Sequence, residues 1–243
     1  MSDHLTDTEW EAAILRAEDN LISCGDIPID KSFIHIEMEG KPFRVRTYEC
    51  GTKSNPTLVC MLGFSNPTLS YMHLWTALAK RYRVICIEKA SFGLNTRLDT
   101  SWGSSSKEAA EEWTLEWTEK VFAKLDIPPK VHVIGECGSG QIAALYASAH
   151  PERIASYFGI TPVGFDPFDS IDSVNRIQFH PDLAKYFGLG KVWADDKMHF
   201  LIKRLFSGRH LEGKPYKAVR KYCKNVVLKK LHGLKLSDEY KES

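Results

Sequence analysis

The run Val131-His132-Val133-Ile134 passes straight into Gly135-Glu136-Cys137-Gly138-Ser139-Gly140 and then into Gln141-Ile142-Ala143-Ala144-Leu145-Tyr146. A β-branched run, a glycine-rich turn and a helix-forming stretch with nothing between them describe a strand that reverses sharply into a helix. Such a turn holds its central residue in a strained backbone conformation and requires small residues two before and two after it, here Gly135 and Ser139. Strand-to-helix joints of this kind belong to sheets built largely from parallel strands. The spacing Gly-x-x-Gly-x-Gly in this segment has no following Lys for a phosphate loop, and it comes too late in the sheet for a dinucleotide site.

The rest of the chain agrees with a parallel sheet. A helix is predicted from Asp7 to Ile22, with Trp10, Ile14 and Leu21 among its apolar positions. Phe33–Ile36 and Phe43–Tyr48, around the turn Glu39-Gly40-Lys41-Pro42, read as a hairpin. Apolar runs at 57–62, 83–87, 131–134 and 154–160 suit strands covered on both faces. Between them, 69–80, 106–125 and 139–150 carry helical periodicity; the entry Ser104-Ser105-Ser106-Lys107-Glu108 offers an N-cap, and Asp126-Ile127-Pro128-Pro129 stops the second of these helices. The expected fold class is α/β, a mostly parallel sheet with helices on both faces. Trp113 and Trp117, four apart on one helix, read as a buried stripe.

From Phe165 onward no strand is predicted, and Met198, Leu201, Ile202, Leu205 and then Tyr216, Val219, Tyr222, Cys223, Val226 recur at helical spacing. The expected division is 1–164 as the sheet-containing core with its N-terminal helix, and 165–243 as a basic helical tail. Residues 181–243 hold 15 Lys and Arg against 7 Asp and Glu, a net of about +8, whereas the overall formal charge is +1. A basic lobe on an acidic body suits a solvated helix face docked on the protein, or contact with an acidic protein or lipid surface. Its aromatics fall at core spacing, so nucleic acid is not an expected partner.

Six cysteines (24, 50, 60, 86, 137, 223) lack metal-ligand spacing, and Cys60 and Cys86 lie in apolar runs as small hydrophobes. Neither a metal nor another cofactor is expected. No apolar stretch has the length of a membrane span, and Met1-Ser2-Asp3-His4 lacks a secretory pattern. The sequence therefore predicts a soluble intracellular protein, cytoplasmic in preference to organellar.

Five landmarks in order resemble the α/β-hydrolase superfamily, and in particular its lysophospholipase-like and lipase-coactivator branch, over roughly residues 33–165. They are Met61-Leu62-Gly63-Phe64, Phe92-Gly93-Leu94-Asn95-Thr96-Arg97, Glu111-Glu112-Trp113, the turn at 135–140, and Ala149-His150-Pro151-Glu152-Arg153-Ile154. The resemblance implies a nucleophile elbow with Cys137 where such enzymes usually carry serine, and oxyanion-hole donors at Gly138 and at Phe64 or its neighbour. Leu62 stands where the family usually has His, Glu136 stands where the family often has His, and Glu88 replaces the usual strand-end Asp. In the family two further strands supply an acid and a histidine; residues 165–243 read instead as cap-like helix, so the resemblance implies a C-terminally shortened fold.

Two functions follow as expectations. One is a non-catalytic hydrolase-fold protein acting as a structural or accessory subunit that binds a protein partner or joins a larger complex. The other is a thiol acyl hydrolase or acyltransferase on ester or lipid substrates; dienelactone hydrolases resemble it in using a cysteine at this elbow. Its base has no assignment from spacing: His73, His132, His180 and His199 each read as surface or core residues, and Asp166 and Asp169 as loop residues. The helix N-terminus after Cys137 favours a thiolate and the adjacent Glu136 opposes it.

Overall fold

Glu39 and Gly40 both have positive φ, 49° and 72°, which matches the twist of a two-residue hairpin turn. That turn joins strand β1 (Asp30–Met38) to strand β2 (Lys41–Cys50), so both are longer than their apolar runs. Pro42, expected in the turn, lies inside β2 opposite Glu37. It is tolerated because the other edge of β2 pairs only from Thr47 to Cys50, leaving no partner for the N–H that Pro lacks.

The computed structural model describes residues 6–62, 67–90, 93–96, 106–162, 217–219, 221–223 and 225–226. They belong to two compact units, Met1–Asp26 with Pro181–Ser243, and Ile27–His180. The division expected at residue 164 falls outside the described residues. The helix expected at the N-terminus groups with residues of the C-terminal stretch, not with the sheet.

In the first unit, α1 (Asp7–Ile22) begins at Thr6 with a reciprocal capping box: Glu9 N donates to Thr6 Oγ1 at 3.3 Å, and Thr6 N donates to Glu9 Oε2 at 2.7 Å. Trp10, Ile14, Ala17 and Leu21 form its buried stripe. The described residues between 217 and 226 are helical, with Val219, Tyr222, Cys223 and Val226 buried. Asn225 Nδ2 donates to the Ala13 carbonyl at 3.1 Å, tying this stretch to α1.

The second unit holds a six-stranded sheet in the order β1-β2-β4-β3-β5-β6. Its later strands are β3 (Thr57–Met61), β4 (Arg83–Ile87), β5 (Val131–Glu136) and β6 (Ile154–Ile160). The hairpin joins antiparallel, whereas β4-β3-β5-β6 run parallel. Helices α3 (Lys107–Lys124) and α4 (Cys137–Ala149) cover one face. There Trp113, Trp117, Phe122, Ile142 and Tyr146 form one core with Val45, Val59, Ile85 and Val133. On the opposite face α2 (Met72–Leu78) sets Trp75 against Tyr48, ring centroids 5.5 Å apart. Trp113 and Trp117 are thus packing residues, as their spacing implied.

The expectation of strands covered on both faces holds for β3, every residue of which is buried, and for most of β4. It fails for β6, whose residues are exposed or half-buried and whose Phe158 is 63% exposed. Among the described residues β6 is an edge strand paired only to β5, so its apolar composition did not report two covered faces.

Candidate active site

Glycine contact shapes the strand-to-helix joint. A Cβ on Gly135 would stand 2.6 Å from the Gly140 Cα and 3.0 Å from the Ala143 Cβ; one on Gly140 would meet the Pro162 Cβ at 2.9 Å. Such separations lie inside van der Waals contact, so the backbones of β5 and α4 touch here only because both side chains are hydrogen. The residue facing Gly135 is Gly140, while Ser139, small as the turn requires, is buried at 2% exposure. From β6, Tyr157 Oη donates to the Gly140 carbonyl at 2.9 Å and holds the first turn of α4 against the sheet.

This contact leaves no length for a loop, and α4 starts at Cys137 itself, two residues earlier than its periodicity suggested. Cys137 takes φ of 52°, a left-handed conformation that costs a residue with a Cβ about 1–2 kcal/mol. The cost is imposed by the surrounding packing, and backbone strain of this kind concentrates at functional positions. The side chain is half-buried. Burial is the largest influence on its thiol and pushes its pKa up; the adjacent Glu136 carboxylate pushes the same way. The Gly138 amide N–H and the Lys89 ammonium favour the thiolate but do not outweigh them. The helix N-terminus therefore does not make this thiol acidic, contrary to what its position alone suggests.

Sheet topology locates Cys137 independently of its motif. The chain goes from β3 to β4 on one side and then crosses to β5 on the other. The carboxyl ends of β3 and β5 thus flank a reversal of strand order, where open α/β sheets form a crevice for ligands. Cys137 sits at the end of β5. Residues 63–66 follow β3 and lie outside the described residues, so the expected donor Phe64 is not placed; Gly138, the other expected donor, is the second residue of α4.

A second group gathers at the end of β4. Glu88 is 1% exposed and its Oε1 accepts from Thr68 N at 3.1 Å. Asn95 Nδ2 donates to the carbonyls of Glu88 and Lys89 at 2.9 and 2.7 Å, while its Oδ1 accepts from Arg46 N. Gly93, at φ 55°, passes so close that a Cβ would meet the Glu88 carboxylate at 3.2 Å. Arg44 completes the lacing, its N donating to Thr96 Oγ1 at 2.8 Å and its Nη2 to the Leu94 carbonyl at 2.9 Å. Lys89, buried to 7%, was not singled out by its sequence context. The only local hint was an ionisable pair directly after an apolar run.

Of the histidines considered as a base, His132 contacts Ser156 Oγ at 2.8 Å through Nδ1 and stacks edge-on against Tyr82. Neither partner belongs to the elbow. His73 lies in α2. His180, His199, Asp166 and Asp169 lie outside the described residues. Among the described residues no group of three or more His, Cys, Asp and Glu is arranged to hold a metal, and no helix is long and apolar enough to cross a membrane.

The profile of the alpha/beta hydrolase fold family matches residues 56–184. A 1-acylglycerol-3-phosphate O-acyltransferase of Arabidopsis thaliana is 30% identical over 110 residues, 45% of this chain and 26% of that protein. A rice protein (Oryza sativa subsp. japonica) described as a "probable 1-acylglycerol-3-phosphate O-acyltransferase" is 29% identical over 126 residues, 51% of this chain and 30% of its own length. The matched region thus spans less than a third of either plant protein. Among solved structures, naproxen esterase from Bacillus subtilis superposes with a TM-score of 0.61 over 92% of this chain and 69% of its own, at 18% identity, which is a likeness of fold.

Proposed function

Because the chain belongs to the alpha/beta hydrolase fold family, we propose that Cys137 handles an acyl ester, as the nucleophile of an acyl hydrolase or acyltransferase acting on ester or lipid substrates. The observation that carries this reading is the φ of 52° at Cys137, maintained by the Gly135–Gly140 contact at the reversal of strand order. The names of the two plant relatives support acyl transfer over hydrolysis of unrelated bonds.

In this reading the sulfur of Cys137, as thiolate, bonds to the acyl carbonyl carbon and the carbonyl π pair moves onto oxygen. The Gly138 N–H is one donor to that oxyanion; Phe64 or its neighbour supplies the second, on the strength of the sequence alone. Collapse breaks the ester C–O bond, and the departing alkoxide takes up a proton equivalent to the one the thiol lost. Water or an acceptor hydroxyl then attacks the thioester, and the sulfur leaves to become the thiol again.

Saturable hydrolysis of a p-nitrophenyl acyl ester, abolished in Cys137→Ala and accompanied by an acyl adduct on Cys137 in peptide mass spectra, is the expected result. An intact, folded chain with neither turnover nor adduct overturns it. A second reading, a non-catalytic accessory subunit that binds a protein partner, is favoured by one feature of the site: burial and Glu136 both disfavour the Cys137 thiolate. Under that reading Cys137→Ala changes no partner affinity and no ester is turned over.

A further inference from the structure

Lys89 and Cys137 occupy the same level of the sheet, although 48 residues separate them in the chain. Cys86, Cys60 and Ile134 form one rung across β4, β3 and β5. Counting three residues toward the carboxyl end from Cys86 and from Ile134 reaches Lys89 and Cys137. Lys89 and Cys137 thus follow the carboxyl ends of β4 and β5, strands two spacings or about 9–10 Å apart, a span that a four-carbon stem and its ammonium group can enter. Lys89 does not point its charge to bulk water, being 7% exposed. Its backbone is fixed by the Asn95 hydrogen bond to its carbonyl at 2.7 Å.

We propose that Lys89 is a positioning residue of the Cys137 site, the buried cation that sustains the thiolate during its attack. Among the described residues, other charged or titratable groups at this end of the sheet have their own roles. Glu136 precedes it in β5 and acts against the thiolate. Glu88, next to Lys89, directs its Oε1 to the Thr68 N–H. Tyr157, reaching over from β6, is engaged as a donor to the Gly140 carbonyl. Among the described residues Lys89 is a cation acting in favour of the ionised sulfur, as the direction of its influence on Cys137 also indicates. A buried ammonium is weakly screened, so its effect persists in salt where a surface lysine's would fade.

The inference gains its catalytic meaning from the reading of Cys137 as nucleophile, but its test does not depend on turnover. The rate of carbamidomethylation of Cys137 by neutral iodoacetamide, followed by peptide mass spectrometry across pH, gives the thiol's titration midpoint. Lys89→Met is expected to raise that midpoint, with about a twofold loss of thiolate at a given neutral pH, in 0.5 M salt as in low salt; Lys89→Arg restores most of it. An unchanged midpoint in folded Lys89→Met overturns the proposal. Should Lys89→Met lose its native circular dichroism, the reciprocal measurement decides in chains that keep Lys89. The Cε resonance of Lys89 must shift as Cys137 ionises, and that step must vanish in Cys137→Ala; its persistence, or its absence from the wild type, overturns the proposal. Failed ester turnover with an intact midpoint shift would sink the acyl-transfer reading alone.

Discussion

Two exits from the same end of the sheet, with β3 between them, are held rigid by opposite means. At the end of β5 the chain turns through a contact of bare backbones, Gly135 on Gly140, with Pro162 closing over them. At the end of β4 it turns through a buried polar net, with Asn95 serving two carbonyls and one N–H, and Glu88 accepting from Thr68. The first excludes side chains and fixes position chiefly by contact, with the Tyr157 hydroxyl on the Gly140 carbonyl as its side-chain hydrogen bond. The second admits charge, and so is the exit that can direct Lys89 toward the Cys137 sulfur. A site that needs both a strained cysteine and a cation draws one from each.

The contrast can be broken by substitution. Gly135→Ala inserts a methyl 2.6 Å from a Cα that cannot rotate away, and a loss of about 3 kcal/mol is expected in urea unfolding. A loss below 0.5 kcal/mol would mean that β5 and α4 are not locked by contact. Asn95→Ala leaves the Glu88 and Lys89 carbonyls and the Arg46 N–H without this partner, and about 2 kcal/mol is the expected cost. If instead stability holds, the polar net at β4 is ornamental and the two exits do not differ as described.

Smaller effects sharpen the picture. Cys137→Gly removes the left-handed penalty at φ 52° and is expected to gain about 1 kcal/mol by thermal unfolding, whereas Cys137→Ser leaves stability near the parent value. A gain confined to Gly would separate strain from the loss of the sulfur itself. Glu136→Gln removes the carboxylate that, after burial, disfavours the thiolate, so the alkylation midpoint of Cys137 should fall and its rate near pH 8 should rise about threefold. The sign is fixed by the charge: an anion beside a thiol raises its pKa, and neutralising it lowers it. A midpoint that stays put would leave burial as the cause.

The elbow was legible because its requirements are local. A strand, a glycine and a helix in direct succession can be read from a dozen residues, and the succession of strands and helices in the second unit follows from the same kind of pattern. The contact of Gly135 with Gly140 was not legible, because it depends on α4 starting at Cys137, two residues before its periodicity suggested. Lys89 was invisible because its proximity to Cys137 depends on β3 lying between β4 and β5, a matter of strand order that no spacing along the chain records. Phe158 misled for a related reason: an apolar run does not distinguish an inner strand from an edge.

That strand order also governs how the protein comes into being. The hairpin of β1 and β2 closes over two residues, but Cys60 pairs with Ile134, 74 positions later. On the ribosome, β3 can find β4 soon after both have emerged, while its other edge waits unpaired until residues 131–136 arrive. For that interval the most buried strand of the finished sheet is an open edge with every side chain apolar or small, the condition in which chains pair with the wrong neighbour. The arrival of β5 ends the hazard and, in the same event, bends Cys137 into place.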